Sequence, residues 1–206
     1  MRLLVATRSV GKQREVRRLL SGVPFEVWFP DDAGAAESTG EDALELHDSF
    51  EANARAKAEY FCKKTGLPTV ADDSGLEVFS LGGEPGVRSK RWALASGTPE
   101  AIDAANNALL VRRLAGASDA RRRARYRCLL VLVRKPGGIS ETFDGATAGL
   151  MLPEPRGTNG FGYDPYFLSD DLGRTFGEAS DADKDAVSHR GGAFRALLDA
   201  LAARPL

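Results

Sequence analysis

The run RLLVATRSVGKQREVRRLLSGVPFEVWF, Arg2 to Phe29, changes its hydrophobic period twice. Arg2 to Thr7 is a short aliphatic run ended by polar turn residues, which reads as a strand. Val10, Val16, Leu19 and Leu20 then recur at helical spacing across KQREVRRLL. Phe25 to Phe29 reads as a second strand, stopped by Pro30. A strand–helix–strand opening of this kind favours an α/β fold.

Working outward, residues 31–45 are small and acidic and read as a surface loop. Ser49 to Lys64 is rich in Ala, Lys and Glu, all good helix formers, with Phe50, Ala54, Lys57 and Phe61 on one face. Gly66 and Pro68 close that helix. Leu67 to Ala71 reads as a short strand, interrupted by DDSG and resumed from Leu76 to Phe79. Gly82 to Ala95 reads as an irregular connection. Pro99 to Leu114 is a helix that Thr98 can cap. Ala124 to Val133 alternates and then becomes wholly apolar, as a central strand does. After the turn at Lys135-Pro-Gly-Gly, Ile139 to Ala148 returns as its hairpin partner. Gly192 to Ala203 closes the chain as an amphipathic helix carrying Phe194, Leu197, Leu198 and Leu201. No repeat, low-complexity tract or linker divides the sequence, so residues 1–206 are expected to form a single domain.

Charge excludes some function classes. The 28 Lys and Arg are balanced by 29 Asp and Glu, which leaves no strong basic field for nucleic acid. Two cysteines, Cys62 and Cys128, make no disulfide framework and point to a reducing compartment. The apolar run at the N-terminus is too short for a signal peptide or a membrane span. The expectation is a soluble, cytoplasmic protein with no membrane or nucleic-acid partner.

Chemistry concentrates in loops and at strand ends. TRSVGK (Thr7, Arg8, Ser9, Val10, Gly11, Lys12) lies where a strand gives way to a helix. Backbone N–H groups at a helix start attract anions, and Lys12 adds a charge; an ordinary turn with a surface lysine explains the same residues. The adjacent carboxylates of Asp72 and Asp73, followed by Ser74, suit a hard cation such as Mg²⁺, or else an Asx-turn. Composition alone places Lys57 on a solvated helix face. GTNGFGYDP, Gly157 to Pro165, bends around Phe161. That ring can stack on a base, with Gly162, Tyr163 and Asp164 beside it, or the aromatics can plug the core. In KDAVSHRG, Lys184, His189 and Arg190 are donors suited to an anion or a base carbonyl. Anion-binding groups, paired carboxylates and an aromatic shelf together suit a nucleoside triphosphate with Mg²⁺. No full Walker A motif is present, which excludes a kinase or GTPase of that kind. A nucleotide-binding protein without turnover stays open.

These pieces occur together in one family. Thr7 with Gly11-Lys12 and Glu15, Phe50 with Asn53 and Lys57, ADDSGLEV (Ala71–Val78), LGGEPGVRS (Leu81–Ser89), GTNGFGYDP and SHRG (Ser188–Gly191) follow in order over nearly the whole chain. The sequence resembles the inosine/xanthosine triphosphate pyrophosphatases, the Ham1-like non-canonical purine NTP pyrophosphatases. The resemblance implies an α/β fold with an elongated mixed sheet, flanking helices and two lobes around a central cleft. It implies hydrolysis of ITP, dITP and XTP to the monophosphate and pyrophosphate, a need for Mg²⁺, and a homodimer. By motif, Thr7 to Lys12 would hold phosphates, and Lys57 would face the triphosphate, reversing the reading from composition. Asp73 would accept a proton and bind metal, with Asp72 assisting. Ser74 would contact substrate, and Phe161 to Asp164 would wall the base with Phe161 stacked on it. Lys184, His189 and Arg190 would close on the 6-oxo group. Four features depart from the family pattern. Ser9 stands where Asn is usual, Arg8 where Gly is common and Arg88 where Tyr often follows Pro-Gly, and the acidic segment before Phe50 is longer, with Glu45 the choice for the metal and Glu37 the alternative.

Overall fold

The computed structural model describes residues 1–206. It is a mixed α/β structure with one six-stranded sheet in the order β2-β1-β3-β4-β5-β6 and five α-helices. The strands are β1 (Arg2–Val5), β2 (Glu26–Trp28), β3 (Thr69–Val78), β4 (Arg123–Val133), β5 (Ser140–Met151) and β6 (Phe167–Ser169). The helices are α1 (Val10–Leu19), α2 (Phe50–Thr65), α3 (Pro99–Arg113), α4 (Asp181–Val187) and α5 (His189–Ala203). As the opening run requires, β1 pairs in parallel with β2, Leu3 opposite Val27; it also pairs in parallel with β3, Val5 opposite Val70.

By internal contacts the chain divides into two compact units. The first comprises Met1–Asp73, Cys128–Gly145 and Arg190–Leu206; the second comprises Ser74–Arg127 and Ala146–His189. In the first, Val16 and Leu20 from the α1 segment and Phe194, Leu197 and Leu201 from α5 pack on Leu3, Val5, Val70, Leu130 and Leu132 of the sheet. In the second, Leu110 and Leu114 meet Leu76, Val78, Tyr126, Met151, Phe167 and Phe176.

Several boundaries differ from expectation, each for a physical reason. β3 runs unbroken through Asp72-Asp73-Ser74-Gly75, so DDSG is strand and not turn. The two carboxylates find partners elsewhere, described below, and need no local Asx-turn to satisfy them. Within the acidic loop, Thr39–Glu45 winds into a 3-10 turn. β6 is three residues long, too short to show a period, and pairs antiparallel with the end of β5. α4 starts at the Ser180 cap, whose side chain accepts from the Asp183 N–H. α5 begins at His189, ahead of Gly191 and Gly192, because packing of Ala193 and Phe194 outweighs the poor helix propensity of glycine.

Candidate active site

In the first unit, α1 starts immediately after β1, and Ser9 is its cap: the Ser9 hydroxyl accepts from the Lys12 N–H. This fixes the start of the helix, leaving Val10 exposed and Gly11 half-buried. Thr7 is buried, and its Oγ1 accepts from the Ser9 N–H at 3.3 Å. TRSVGK is therefore a strand-to-helix turn with its N–H groups at a helix start, as an anion site requires. Arg8 departs from this arrangement, because its guanidinium turns to the 31–41 segment and donates to Glu41, Asp31 and the Ala35 carbonyl.

The tandem aspartates of β3 occupy opposite environments, because consecutive strand residues point to opposite faces. The Asp72 side chain is 1% exposed; Lys12 Nζ lies 2.9 Å and the Arg190 guanidinium 3.4 Å from its Oδ2. Arg190, almost fully buried, is also paired with Glu15 of α1. Burial opposes ionisation of Asp72, but Lys12, Arg190 and Lys57 together outweigh it and hold the carboxyl well below the usual range. Asp73 faces α2. Lys57 Nζ stands 4.0 Å from Asp73 Oδ1, and Asn53 Nδ2 donates to Asp73 Oδ2 at 2.8 Å. Here burial prevails over Lys57, Lys12 and Asn53, and the Asp73 carboxyl is pushed up. Asn53 and Lys57 are one helical turn apart on α2, so both reach the same carboxylate.

Lys57 is buried, not solvated. It also donates to Glu45 at 2.8 Å and to the Asp72 carbonyl at 2.6 Å. Burial alone would lower its ammonium pKa, but Glu45, Asp73 and Asp72 reverse the sign. Lys57 in turn pulls Glu45 down to about 2 against the opposing effect of burial. Glu45, Asp72 and Asp73 are not gathered into a three-ligand metal cluster. The donor set divides: Glu45 and Asp73 offer the carboxylate oxygens that a hard cation takes and both lie beside the Lys57 ammonium, while Asp72 is committed to Lys12 and Arg190.

In the second unit the FGYD loop separates into two kinds of aromatic. Tyr163 is core: it is buried, and its hydroxyl donates to the Ser89 carbonyl at 2.8 Å. Phe161 is only half-buried. Asp164 braces the loop from within, its Oδ2 accepting from the Phe161 N–H at 2.8 Å and from Lys184 Nζ at 2.6 Å. Lys184 stands 5.1 Å from the Phe161 ring centroid and 5.5 Å from that of Phe176. His189 is buried and stacked on Tyr126, with centroids 4.7 Å apart and rings 8° from parallel. Ser74 sits half-buried in β3.

Three further residues hold these groups and were not assigned roles from sequence. Asn53 orients Asp73. Asp103 and Asn107 of α3 grip both sides of one peptide: Asp103 Oδ2 accepts from the Gly162 N–H at 2.8 Å, and Asn107 Nδ2 donates to the Gly162 carbonyl at 2.9 Å. Asn53 is legible in hindsight from its spacing to Lys57. Asp103 and Asn107 carry only an i, i+4 spacing on a helix otherwise explained by its core, and nothing local connects them to a loop more than fifty residues away.

Neither cysteine is in a disulfide, and no helix is long and apolar enough to cross a membrane. The Ham1 family profile matches residues 3–200. The dITP/XTP pyrophosphatase of Frankia alni is 46% identical, over 96% of this chain and 95% of the relative. The protein of the same name from Geobacter sulfurreducens is 44% identical over 97% and 96%. Among solved structures, a HAM1 protein from Coxiella burnetii superposes with a TM-score of 0.85 at 32% identity, over 98% of this chain and 99% of that one. A nucleoside-triphosphatase / dITP/XTP pyrophosphatase from Mycobacterium abscessus gives a TM-score of 0.73 at 41% identity, with both chains fully covered. A match of this extent, carried on the sheet order and the motifs described above, makes this chain a member of the Ham1 family.

Proposed function

We propose that this protein is a nucleoside triphosphate pyrophosphatase that hydrolyses ITP, dITP and XTP to the monophosphate and pyrophosphate and so removes deaminated purines from the nucleotide pool. The observation that carries the reading is the opposite treatment of two adjacent carboxylates. Lys12 and Arg190 close on Asp72 and hold it ionised, while Asp73 meets Lys57 and Asn53 and burial raises its carboxyl, as suits a proton acceptor. Family membership and relatives bearing the dITP/XTP pyrophosphatase name supply the substrate class.

In this reading Thr7, Ser9, Val10, Gly11 and Lys12 receive phosphate oxygens at the start of α1, where the helix N-terminus and Lys12 favour negative charge. Lys57 offsets charge that grows on the phosphate oxygens as the α–β bond breaks. Asp73, oriented by Asn53, accepts a proton from the attacking water. Glu45 and Asp73 would hold Mg²⁺, which when bound supplies further positive charge at the phosphates and acidifies water. Asp72 serves as the counter-ion that keeps Lys12 and Arg190 in place. Phe161 stacks on the purine with Gly162 beside it, the buried Tyr163 and Asp164 support that wall from behind, and Ser74 contacts the substrate.

Base choice follows from donors. Hypoxanthine and xanthine present an acceptor at position 6, where adenine presents an amine donor. Lys184, His189 and Arg190 are the donors assigned to that oxygen. Lys184 is best supported, because its ammonium already lies over the Phe161 ring. An adenine there would leave a buried donor unpaired, at a cost of about 1–3 kcal/mol. We further propose that residues 1–206 act as one catalytic domain, as a cytoplasmic homodimer; sedimentation at micromolar concentration tests the dimer.

The reading is tested by incubating the purified protein with Mg²⁺ and ITP, XTP, GTP or ATP and identifying the products. Monophosphate plus pyrophosphate from ITP and XTP, with little from GTP and ATP, is expected. Diphosphate plus free phosphate would overturn the assigned bond, and ITP binding without turnover would make the protein a nucleotide-binding regulator.

A further inference from the structure

Arg8 follows β1, yet its side chain serves a distant segment. Its Nε donates to Glu41 Oε2 at 2.7 Å and its Nη2 to Glu41 Oε1 at 3.0 Å, a two-point fork on one carboxylate. Nη2 also donates to the Ala35 carbonyl at 2.8 Å, and Nη1 to Asp31 Oδ1 at 2.6 Å. Lys64 of α2 adds a second anchor, donating to the Ala36 carbonyl at 2.7 Å and reaching Glu41 at 3.5 Å. The segment needs such anchors. Its 3-10 turn, Thr39–Glu45, buries no residue and has no side-chain cap, so apolar packing does not locate it. The last residue of that turn is Glu45, whose carboxylate stands 2.8 Å from Lys57.

We propose that Arg8 is a positioning residue: by clamping Glu41 and the Ala35 carbonyl it holds the acidic segment so that Glu45 stays beside Lys57 and Asp73. This inference rests on the reading of Glu45 as a cation-holding carboxylate. It separates Arg8 from the phosphate-binding residues among which its place in TRSVGK would put it. Arg8 then acts on the divalent cation through Glu45, and on the nucleotide only indirectly.

The test uses the full chain with Arg8→Ala, Arg8→Lys, Glu41→Gln and the charge swap Arg8→Glu with Glu41→Arg. Hydrogen exchange is followed over residues 37–49, Mn²⁺ binding by the free protein is titrated by electron paramagnetic resonance, and the Mg²⁺ half-saturation of ITP hydrolysis is compared with the KM for ITP. In Arg8→Ala and Glu41→Gln, exchange is expected to accelerate in 37–49 but not in α2 or β3. The half-saturation and the Mn²⁺ dissociation constant are expected to rise roughly tenfold, as loss of an outer-shell partner does. KM for ITP should move less. Arg8→Lys, which keeps the charge and loses the fork, should fall between, and the charge swap should recover part of the loss. Unchanged exchange in Arg8→Ala overturns the clamp. A raised KM for ITP at unchanged Mg²⁺ half-saturation overturns it too, by making Arg8 a phosphate ligand. If Glu45→Gln leaves Mn²⁺ binding unaltered, the reading of Glu45 fails, and the positioning role fails with it even where exchange has accelerated.

Discussion

Asp72 and Asp73 are adjacent and both feel Lys12 and Lys57, yet charge decides the outcome at the first and burial at the second. Strand alternation directs them to different neighbours, and the neighbours decide their protonation. Burial raises the Asp73 carboxyl, so it stays protonated, and unable to take a proton from water, up to a higher pH than an ordinary carboxylate; kcat/KM for ITP should fall as pH drops through a pKa above the ordinary carboxylate value of about 4. Asn53 pulls that pKa down through its hydrogen bond. Asn53→Ala should therefore move the acidic limb of the pH–rate profile to higher pH, and Asp73→Asn should abolish most turnover at every pH. A limb that stays in place in Asn53→Ala would remove Asp73 from the role of proton acceptor. Asp72 predicts a different phenotype. It is buried between two cations, so Asp72→Ala takes a carboxylate partner from Lys12 and leaves Arg190 to Glu15, and should destabilise the fold by about 3–5 kcal/mol, read from urea denaturation.

At the scale of elements, the FGYD loop is held by a helix far away in sequence. Asp103 and Asn107 bond the N–H and the carbonyl of Gly162, and so set the height at which Phe161 projects. Asn107→Ala removes one neutral hydrogen bond, worth about 1 kcal/mol. It should raise KM for ITP about fivefold with little change in kcat, measured in steady state. Gly160 is constrained more severely. Its φ is +76°, and a Cβ there would lie 2.0 Å from Asp164 Oδ2, the oxygen that accepts from Phe161 and Lys184. Gly160→Ala should therefore cost far more in KM than Asn107→Ala, and the two should be compared in a protein whose near-UV circular dichroism is unchanged.

At the scale of the whole molecule, each unit has its own core. Phe176 packs against Tyr126 and Phe167 and underlies Lys184. Phe176→Ala should cost about 3–5 kcal/mol of stability and should also weaken ITP binding, because the ammonium loses one of its two rings. Leu197→Ala, in the other core, should cost about 2–5 kcal/mol. At temperatures where it stays folded, it should leave the Mg²⁺ half-saturation unchanged. Denaturant titrations paired with ITP kinetics separate the two outcomes.

The α/β class, the opening β1-α1-β2 unit, the long helices and the chemical kit were all legible in the sequence. They rest on period, caps and residue type, which are local properties of the chain. The motifs also singled out most of the residues that gather in each unit. Sequence composition misread Lys57, since an Ala-Lys-Glu helix looks solvated until Glu45 and Asp73 are folded against it. It left DDSG open between a cation site and an Asx-turn and broke the strand there, because the cations that let two carboxylates sit in one continuous strand come from α1, α2 and α5. The TRSVGK motif put Arg8 with the phosphate groups; its partners in the structure lie at positions 31, 35 and 41. Asp103 and Asn107 carried only an i, i+4 spacing, with nothing to tie it to the FGYD loop. In each case the deciding interaction is between residues distant in the chain, and an ionisable group takes its charge, its pKa and its role from whatever the tertiary structure sets within a few ångströms of it.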